Sequence, residues 1–330
     1  MMSILSFDDF QTQIQAHYRQ KEYAQALELA MQNASRFPDK KPILLYWQIS
    51  MAARLGDVGL SLQLLSGALA TGFWYSETLL RKSPSLQILQ GNPDFERVVE
   101  QNRAQQLQDQ EQIFPLLVLH QEGDCQGIER ACPLLLALHA NSSTAQASVD
   151  FWKPAASAGW LVAVPQSSQA MWKDAYMWDD VEITLEEIQR HYASLERQYT
   201  LDAAHLTIAG HSMGGEVAIQ LALSGAIDAI GLIAIGPGGP FMDAPESWTE
   251  LIEQAKDRLS TSGFHWLRCY IIFGEEDQTI SLDNIQALAE KMIQAGFECR
   301  LEPIAGAGHE YHPAYAPALL RGLDFIREDR

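Results

Sequence analysis

Positive charge is scarce in this chain of 330 residues: 23 Lys and Arg stand against 42 Asp and Glu, a formal net charge of −19. The deficit is uneven. Residues 1–110 hold 10 basic against 11 acidic side chains, and the rest of the chain holds 13 against 31. A field of that sign repels polyanions, so neither nucleic acid nor an anionic membrane surface is an expected partner. Long apolar runs are also missing. No stretch approaches the ~18 uninterrupted apolar residues of a spanning helix, so no membrane span is expected. The opening stretch Met1–Asp9 lacks a basic segment followed by a long apolar run. It does not read as a secretory signal, and a soluble, cytoplasmic protein is expected. Cysteine is sparse: Cys125, Cys132, Cys269 and Cys299 form no Cys-x-x-Cys pair. The three in or near apolar runs (Cys132, Cys269 and Cys299) read as buried free thiols. No two histidines share a helix face with a carboxylate at ligand spacing, so no metal site is expected.

What is present is apolar and periodic. With 47% hydrophobic residues the chain can bury a sizeable core, and its periodicity changes near residue 112. Residues 1–112 read as an all-α domain. Ser6 with Asp9 resembles a capping box, and Phe7, Phe10, Ile14 and Tyr18 follow at helical spacing. A second helix carries Tyr23, Ala26, Leu27, Ala30 and Ala34 on one face. A third begins near Pro42 and ends near Gly56, a fourth runs from Val58 to Ala70, and a Gln-rich helix reaches Gln112. Residues 21–27 and 56–62 are similar at an offset of 35 positions (Tyr23 to Val58). This segment therefore resembles tetratricopeptide helix pairs, whose period is ~34 residues. It is read as a prop for the second domain, with a protein partner or dimer contact through residues 1–112 as the alternative.

Residues 113–330 read as α/β. Short apolar runs at 115–119, 133–138, 160–164, 206–209, 230–235, 268–273 and 298–304 alternate with amphipathic stretches at 181–198, 214–224, 282–295 and 313–326. Strands apolar along their whole length, separated by helices, imply a mostly parallel sheet covered on both faces.

The chemistry centres on Leu206-Thr-Ile-Ala-Gly-His-Ser212-Met-Gly-Gly-Glu216. It fits Gly-x-Ser-x-Gly at a strand-to-helix junction, where a strained turn projects the hydroxyl of Ser212 above the sheet. Gly210 and Gly214 are required there because a Cβ would meet the neighbouring strand or helix. Partners follow in the order Ser, Asp, His. Gly274-Glu-Glu-Asp277 closes one strand, and Asp277 is chosen as the orienting acid over Glu275 and Glu276. Ala305-Gly-Ala-Gly-His309 closes the next, and His309 is chosen as the base over His312. An oxyanion hole needs two backbone N–H groups: that of Met213, and one from Ala140 or Asn141 after the strand ending Leu138-His139. His139 itself reads as structural. Trp172, Tyr176 and Trp178 follow the third strand and are candidates for a substrate pocket. Pro237–Met242 is a candidate pocket mouth, and no large cap insertion is visible.

Residues 113–330 resemble the small esterases of the phospholipase/carboxylesterase group and their dienelactone-hydrolase-like relatives. The likeness rests on Leu138-His139, Val164–Gln169, Leu201-Asp202, Gly210–Gly215, Asp277 and His309. It implies the α/β-hydrolase fold and hydrolysis of a small carboxylic ester or thioester through an acyl-enzyme on Ser212, with neither metal nor organic cofactor. Ala140 departs from the glycine usual in the family's His-Gly turn, which leaves the second oxyanion donor open. Two other readings compete: a peptidase or amidase on the same residues, and a helical scaffold carrying a non-catalytic hydrolase domain.

Overall fold

The computed structural model describes residues 7–120, 131–262 and 267–328. The proposed cap at Ser6 and the thiol of Cys125 lie outside them. The chain divides into two compact units. One comprises the residues up to Ile113 with Ala170–Lys173, and the other Phe114–Gln169 with Asp174–Arg330.

The first unit is helical: α1 (Phe7–Arg19), α2 (Tyr23–Asn33), α3 (Lys41–Arg54), α4 (Val58–Ala70), α5 (Glu77–Lys82) and α6 (Pro93–Gln110). Each boundary has a local cause. Pro42 sits in the first turn of α3, where a missing N–H costs nothing. Asp57, Ser76 and Asn92 cap α4, α5 and α6 by accepting backbone N–H bonds. Phe10, Ile14, Ala26, Leu27, Ala30, Leu44, Met51 and Ala52 make one core across α1–α3, the apolar faces that helical spacing picks out. Strand β4 (Ala170–Trp172), although far along the chain, belongs to this unit. Trp172 bridges Tyr75 in antiparallel fashion, Ser76 N–H donates to the Met171 carbonyl at 2.7 Å, and the Lys173 ammonium pairs with Asp109 at 3.1 Å.

The second unit is built on a seven-stranded sheet in the order β1-β3-β2-β6-β7-β8-β9. Its strands are β1 (Leu116–Leu119), β2 (Cys132–Leu138), β3 (Leu161–Pro165), β6 (Leu201–His211), β7 (Gly231–Ile235), β8 (Arg268–Gly274) and β9 (Glu298–Ile304); β5 (Ala175–Tyr176) lies outside this sheet, with Tyr176 bridged to Ser143. Among the described residues of this sheet, β1 alone runs antiparallel and the other pairings are parallel. The pleat sends Leu134, Leu136 and Leu138 into one core and Leu135 and Ala137 into the other. The first core lies under α8 (Val181–Gln198), α9 (Met213–Ser224), α10 (Pro245–Ser262) and α11 (Leu282–Gln294), and the second under α7 (Ala145–Ser157) and α12 (Tyr315–Arg327). Both faces are therefore buried, which is why the strands are apolar along their whole length.

Three local readings change. Helices α7 and α10 were not anticipated, although Val149, Trp152 and Ala156, and Trp248, Ile252 and Ala255, sit at helical spacing on their buried faces. Pro154 near the end of α7 masked the first of these. Strand β6 starts at Leu201, five residues early, because Leu201 pairs with Cys132 across a register shift in β2. Cys269 and Cys299 are free and stand opposite each other on β8 and β9. Cys132 is not a free thiol: it is disulfide-bonded. An apolar strand end next to a polar loop reads the same whether or not its thiol is oxidised.

Candidate active site

The site is assembled at the carboxyl ends of β6, β8 and β9. Strand β6 turns into α9 through Ser212, which takes φ +54° and ψ −123°. A non-glycine residue in that region costs on the order of 1–3 kcal/mol and persists only where its surroundings hold it. Here Ser212 N–H donates to the Ile235 carbonyl at 2.9 Å, and the Ser212 carbonyl accepts from Glu216 N–H at 3.0 Å. The turn needs its glycines. A Cβ on Gly210 would lie 2.1 Å from the Gly214 oxygen, and one on Gly214 would lie 2.5 Å from the His139 oxygen.

Gly274 ends β8 with a similar tolerance, since a Cβ there would lie 2.2 Å from the Ala307 carbonyl oxygen. That close approach lets Glu276 N–H donate to Ala307 at 3.0 Å and draws the loops after β8 and β9 together. The Tyr315 hydroxyl donates to the Gly308 carbonyl at 2.6 Å and pins the second loop from α12. The result is one continuous hydrogen-bonded chain. His309 Nε2 lies 2.9 Å from Ser212 Oγ, and His309 Nδ1 lies 2.7 Å from Asp277 Oδ2. Asp277 Oδ1 accepts from the N–H groups of Thr279 and Ile280 at 2.8 and 3.3 Å. Burial would raise this carboxyl, but the hydrogen bonds from His309, Thr279 and Ile280 outweigh it and hold Asp277 below its usual range. Glu275 and Glu276 are exposed. His312 turns its ring to its own backbone, with Nδ1 accepting from Ala314 N–H at 3.2 Å.

His139 is fully buried. Its Nε2 accepts from Ser167 N–H at 3.3 Å and its Nδ1 lies 2.9 Å from the Ala140 carbonyl, which defines a neutral ring with the proton on Nδ1. Burial brings its pKa down to about 4. The ring ties the loop after β2, which carries Ala140 and Asn141, to the loop after β3 at Ser167, and stays out of the serine's hydrogen-bonded chain.

Two buried groups close to Ser212 escaped the sequence reading. His211, the residue before the serine, points its Nε2 at the His309 carbonyl, 2.7 Å away, while its Nδ1 is buried without a partner. Burial first, and the neighbouring His309 second, lower its pKa to about 4. Glu216, one turn into α9, accepts from Met242 N–H at 2.9 Å and so ties down the loop after β7. The available signal was a lone carboxylate in an otherwise apolar helix.

A cavity of about 320 Å³ opens beside Ser212. Met213 and Asn141 line its base, Gly238–Pro240 with Met242 and Asp243 form one wall, and Thr279–Ser281 form the other. The segment 237–242 thus stands at a pocket, as its composition suggested. Ala140 does not line this cavity, and neither do Trp172, Tyr176 and Trp178. Those three rings are buried. Trp172 belongs to β4 in the helical unit. The Trp178 indole N–H donates to the His139 carbonyl at 2.9 Å, holding the ring against His139. Among the described residues no group of three or more His, Cys, Asp or Glu could hold a metal ion, and no helix is long and apolar enough to cross a membrane.

A mostly parallel sheet covered on both faces, with Ser, Asp and His gathered at its carboxyl edge in that chain order, defines an α/β-hydrolase. Residues 163–318 match the model of the dienelactone hydrolase family, and residues 7–110 match that of the A/B hydrolase-like N-terminal domain. The chain thus has the α/β-hydrolase fold, with a second unit similar to the dienelactone hydrolase family over residues 163–318 and a helical unit similar to the A/B hydrolase-like N-terminal domain. No curated protein matches it. An uncharacterized protein from Bacillus cereus is similar over 98% of this chain and 99% of its own, at 20% identity and a TM-score of 0.53. A fluorophosphonate-binding serine hydrolase of Staphylococcus aureus is similar over 65% of this chain and 92% of its own, at 16% identity and a TM-score of 0.48. The S-formylglutathione hydrolase of the same organism covers 64% and 92%, at 17% identity and a TM-score of 0.46.

Proposed function

We propose that this hydrolase cleaves carboxylic esters or thioesters through an acyl-enzyme on Ser212, without a cofactor. The observation that carries the reading is the unbroken chain from Ser212 Oγ through His309 to the buried carboxylate of Asp277. His309 Nε2 takes the Oγ proton as Oγ attacks the substrate carbonyl carbon. The imidazolium that forms is stabilised by Asp277, which also fixes the tautomer with its free lone pair on Nε2. The carbonyl oxygen gains negative charge and is held by the Met213 N–H and an N–H at Ala140 or Asn141. Each such donor is worth about 10²–10³ in rate. Asn141 is favoured because it lines the cavity beside Ser212. Collapse of the intermediate expels the alcohol or thiol, which takes its proton from His309, and leaves the acyl group on Oγ. Water then repeats the sequence and releases the acid.

The strain at Ser212 serves this role by presenting Oγ above the sheet with the start of α9 beneath it, a geometry an unstrained serine would not adopt. The test is labelling of the purified protein with a fluorophosphonate probe, wild type against Ser212→Ala, followed by p-nitrophenyl esters against matched anilides. Labelling of wild type alone with ester turnover supports the reading. Faster cleavage of anilides would replace it with an amidase. A folded wild type that neither labels nor turns over ester would leave a helical scaffold with a passive hydrolase domain.

A further inference from the structure

The cavity beside Ser212 carries information about the substrate, and the inference drawn from it rests on the esterase reading above. Two observations decide which part of a substrate it would hold. Ser212, Met213 and Asn141 all line it, so the carbonyl carbon under attack sits at its base. His309, which must reach the leaving group to protonate it, does not line it. What fills the cavity is therefore attached to the carbonyl on the side away from the leaving group, which is the acyl chain.

The cavity is open to solvent, and its volume of about 320 Å³ has room for a short acyl group.

Its walls bound the chemistry. The lining has apolar surface in Met242 and Ile280 and hydrogen-bonding groups in Asn141, Thr279 and Ser281. Among the described residues its one charged side chain is Asp243, with no Lys, Arg or His. Beneath the same wall lies a second carboxyl, Glu216, bonded to the Met242 N–H and close enough for Asp243 to act on its ionisation. An acyl group ending in an anion would enter facing the Asp243 carboxylate with no counter-charge among the described lining residues, whereas a neutral or cationic end would not be opposed.

The walls are also fixed in place. Glu216 ties the Met242 amide and Asn284 ties the Met242 carbonyl, at 3.0 Å, so both sides of one peptide are anchored. On the opposite wall the same Asp277 that binds His309 holds the Thr279 and Ile280 amides. The acid that orients the base thus also shapes the cavity.

We propose that this cavity is the acyl subsite and that it selects acyl groups with a neutral or cationic end against those ending in an anion. The experiment uses three p-nitrophenyl esters of matched length: 4-(trimethylammonio)butanoate, 5,5-dimethylhexanoate and 4-sulfobutanoate. The full-length protein is assayed at 20 and 500 mM salt (roughly 20 and 4 Å of Debye length). At low salt, kcat/KM should fall in the order cationic or neutral, then anionic, with a gap of about five- to tenfold that narrows as salt rises. Asp243→Asn should shrink the cation-to-anion ratio, and Asp243→Lys should reverse it. The same charges placed on the alcohol side should give ratios that Asp243→Lys does not move. A wild type that prefers the sulfonate ester, or a ratio that Asp243→Lys leaves unchanged in a protein still cleaving the neutral ester, would overturn the subsite while leaving the esterase reading intact. An effect of Asp243→Lys confined to the alcohol series would do the same. Loss of Ser212 labelling and of turnover of every ester in wild type would remove both.

Discussion

Asn102 in the helical unit and the polar groups around Ser212 in the hydrolase unit are buried on different terms. In the helical unit Asn102 is fully buried, and its amide is satisfied at both ends by Tyr75: it accepts the Tyr75 N–H at 2.8 Å and donates to the Tyr75 carbonyl at 2.6 Å. That group holds the bridged backbone at Tyr75. In the hydrolase unit the buried polar groups around Ser212 are incompletely paired or held in costly states. His211 has an orphaned Nδ1, Glu216 is a carboxylate pushed up by burial with only backbone N–H bonds pulling it back, and Ser212 sits at positive φ. A fully satisfied buried group adds rigidity, whereas an unsatisfied one costs about 1–3 kcal/mol and persists only where the surrounding fold enforces it. The contrast separates polar burial that builds structure from polar burial that builds a reactive site.

The sharpest break of that contrast is Asp277→Asn. The fold should persist, but an amide presents an N–H where the His309 Nδ1 proton must be received, which favours the wrong tautomer. We expect kcat on a neutral ester to fall about 10⁴-fold with little change in KM. A loss of tenfold or less would mean that the acid is elsewhere.

Acid should strike the hydrolase unit through its buried neutral histidines. His139 and His211 stay neutral in the fold down to about pH 4, whereas an unfolded imidazole takes up its proton near pH 6.5. Between those values the unfolded chain binds more protons, so stability falls as pH falls through that window. At pH 5 each histidine should cost about 2 kcal/mol. Urea midpoints at pH 7 and pH 5 check this. His139→Asn should narrow the gap between them, and an unaltered gap would assign the acid sensitivity to other groups.

Asn102→Ala examines the helical side of the comparison. Removing both hydrogen bonds to Tyr75 should lower stability by about 2 kcal/mol, read as a lower Tm or urea midpoint. Esterase activity in the folded protein at 25 °C should remain. A folded variant that has lost its activity would show that Asn102 serves more than structure. The smallest effect is expected at Glu216→Gln, which keeps one acceptor for the loop amides but places an NH₂ where the second lone pair was. KM should rise a few-fold with kcat within about threefold of wild type. A drop in kcat alone would move Glu216 from holding the pocket wall to acting on the reacting atoms.

Much of this could be read from the chain itself. The strand–helix alternation after residue 113 follows from burial of both sheet faces, and Gly-His-Ser-Met-Gly marks the turn because only glycine clears the atoms that crowd Gly210 and Gly214. The order of Ser212, Asp277 and His309, each after an apolar strand, named three residues that the structure brings within hydrogen-bonding reach. Local periodicity and steric necessity are written in neighbouring residues, which is why such features survive without coordinates. What the tertiary structure alone decided lies between residues far apart in the chain. Examples are the membership of Ala170–Lys173 in the helical unit, the bond from His211 to the His309 carbonyl, the clamp of Glu216 on Met242, and the placing of Tyr176 and Trp178 away from the cavity lining. A buried tryptophan and a pocket-lining one have the same composition. Which of them a sequence encodes depends on what packs against the ring, and packing is settled only when the whole chain has folded.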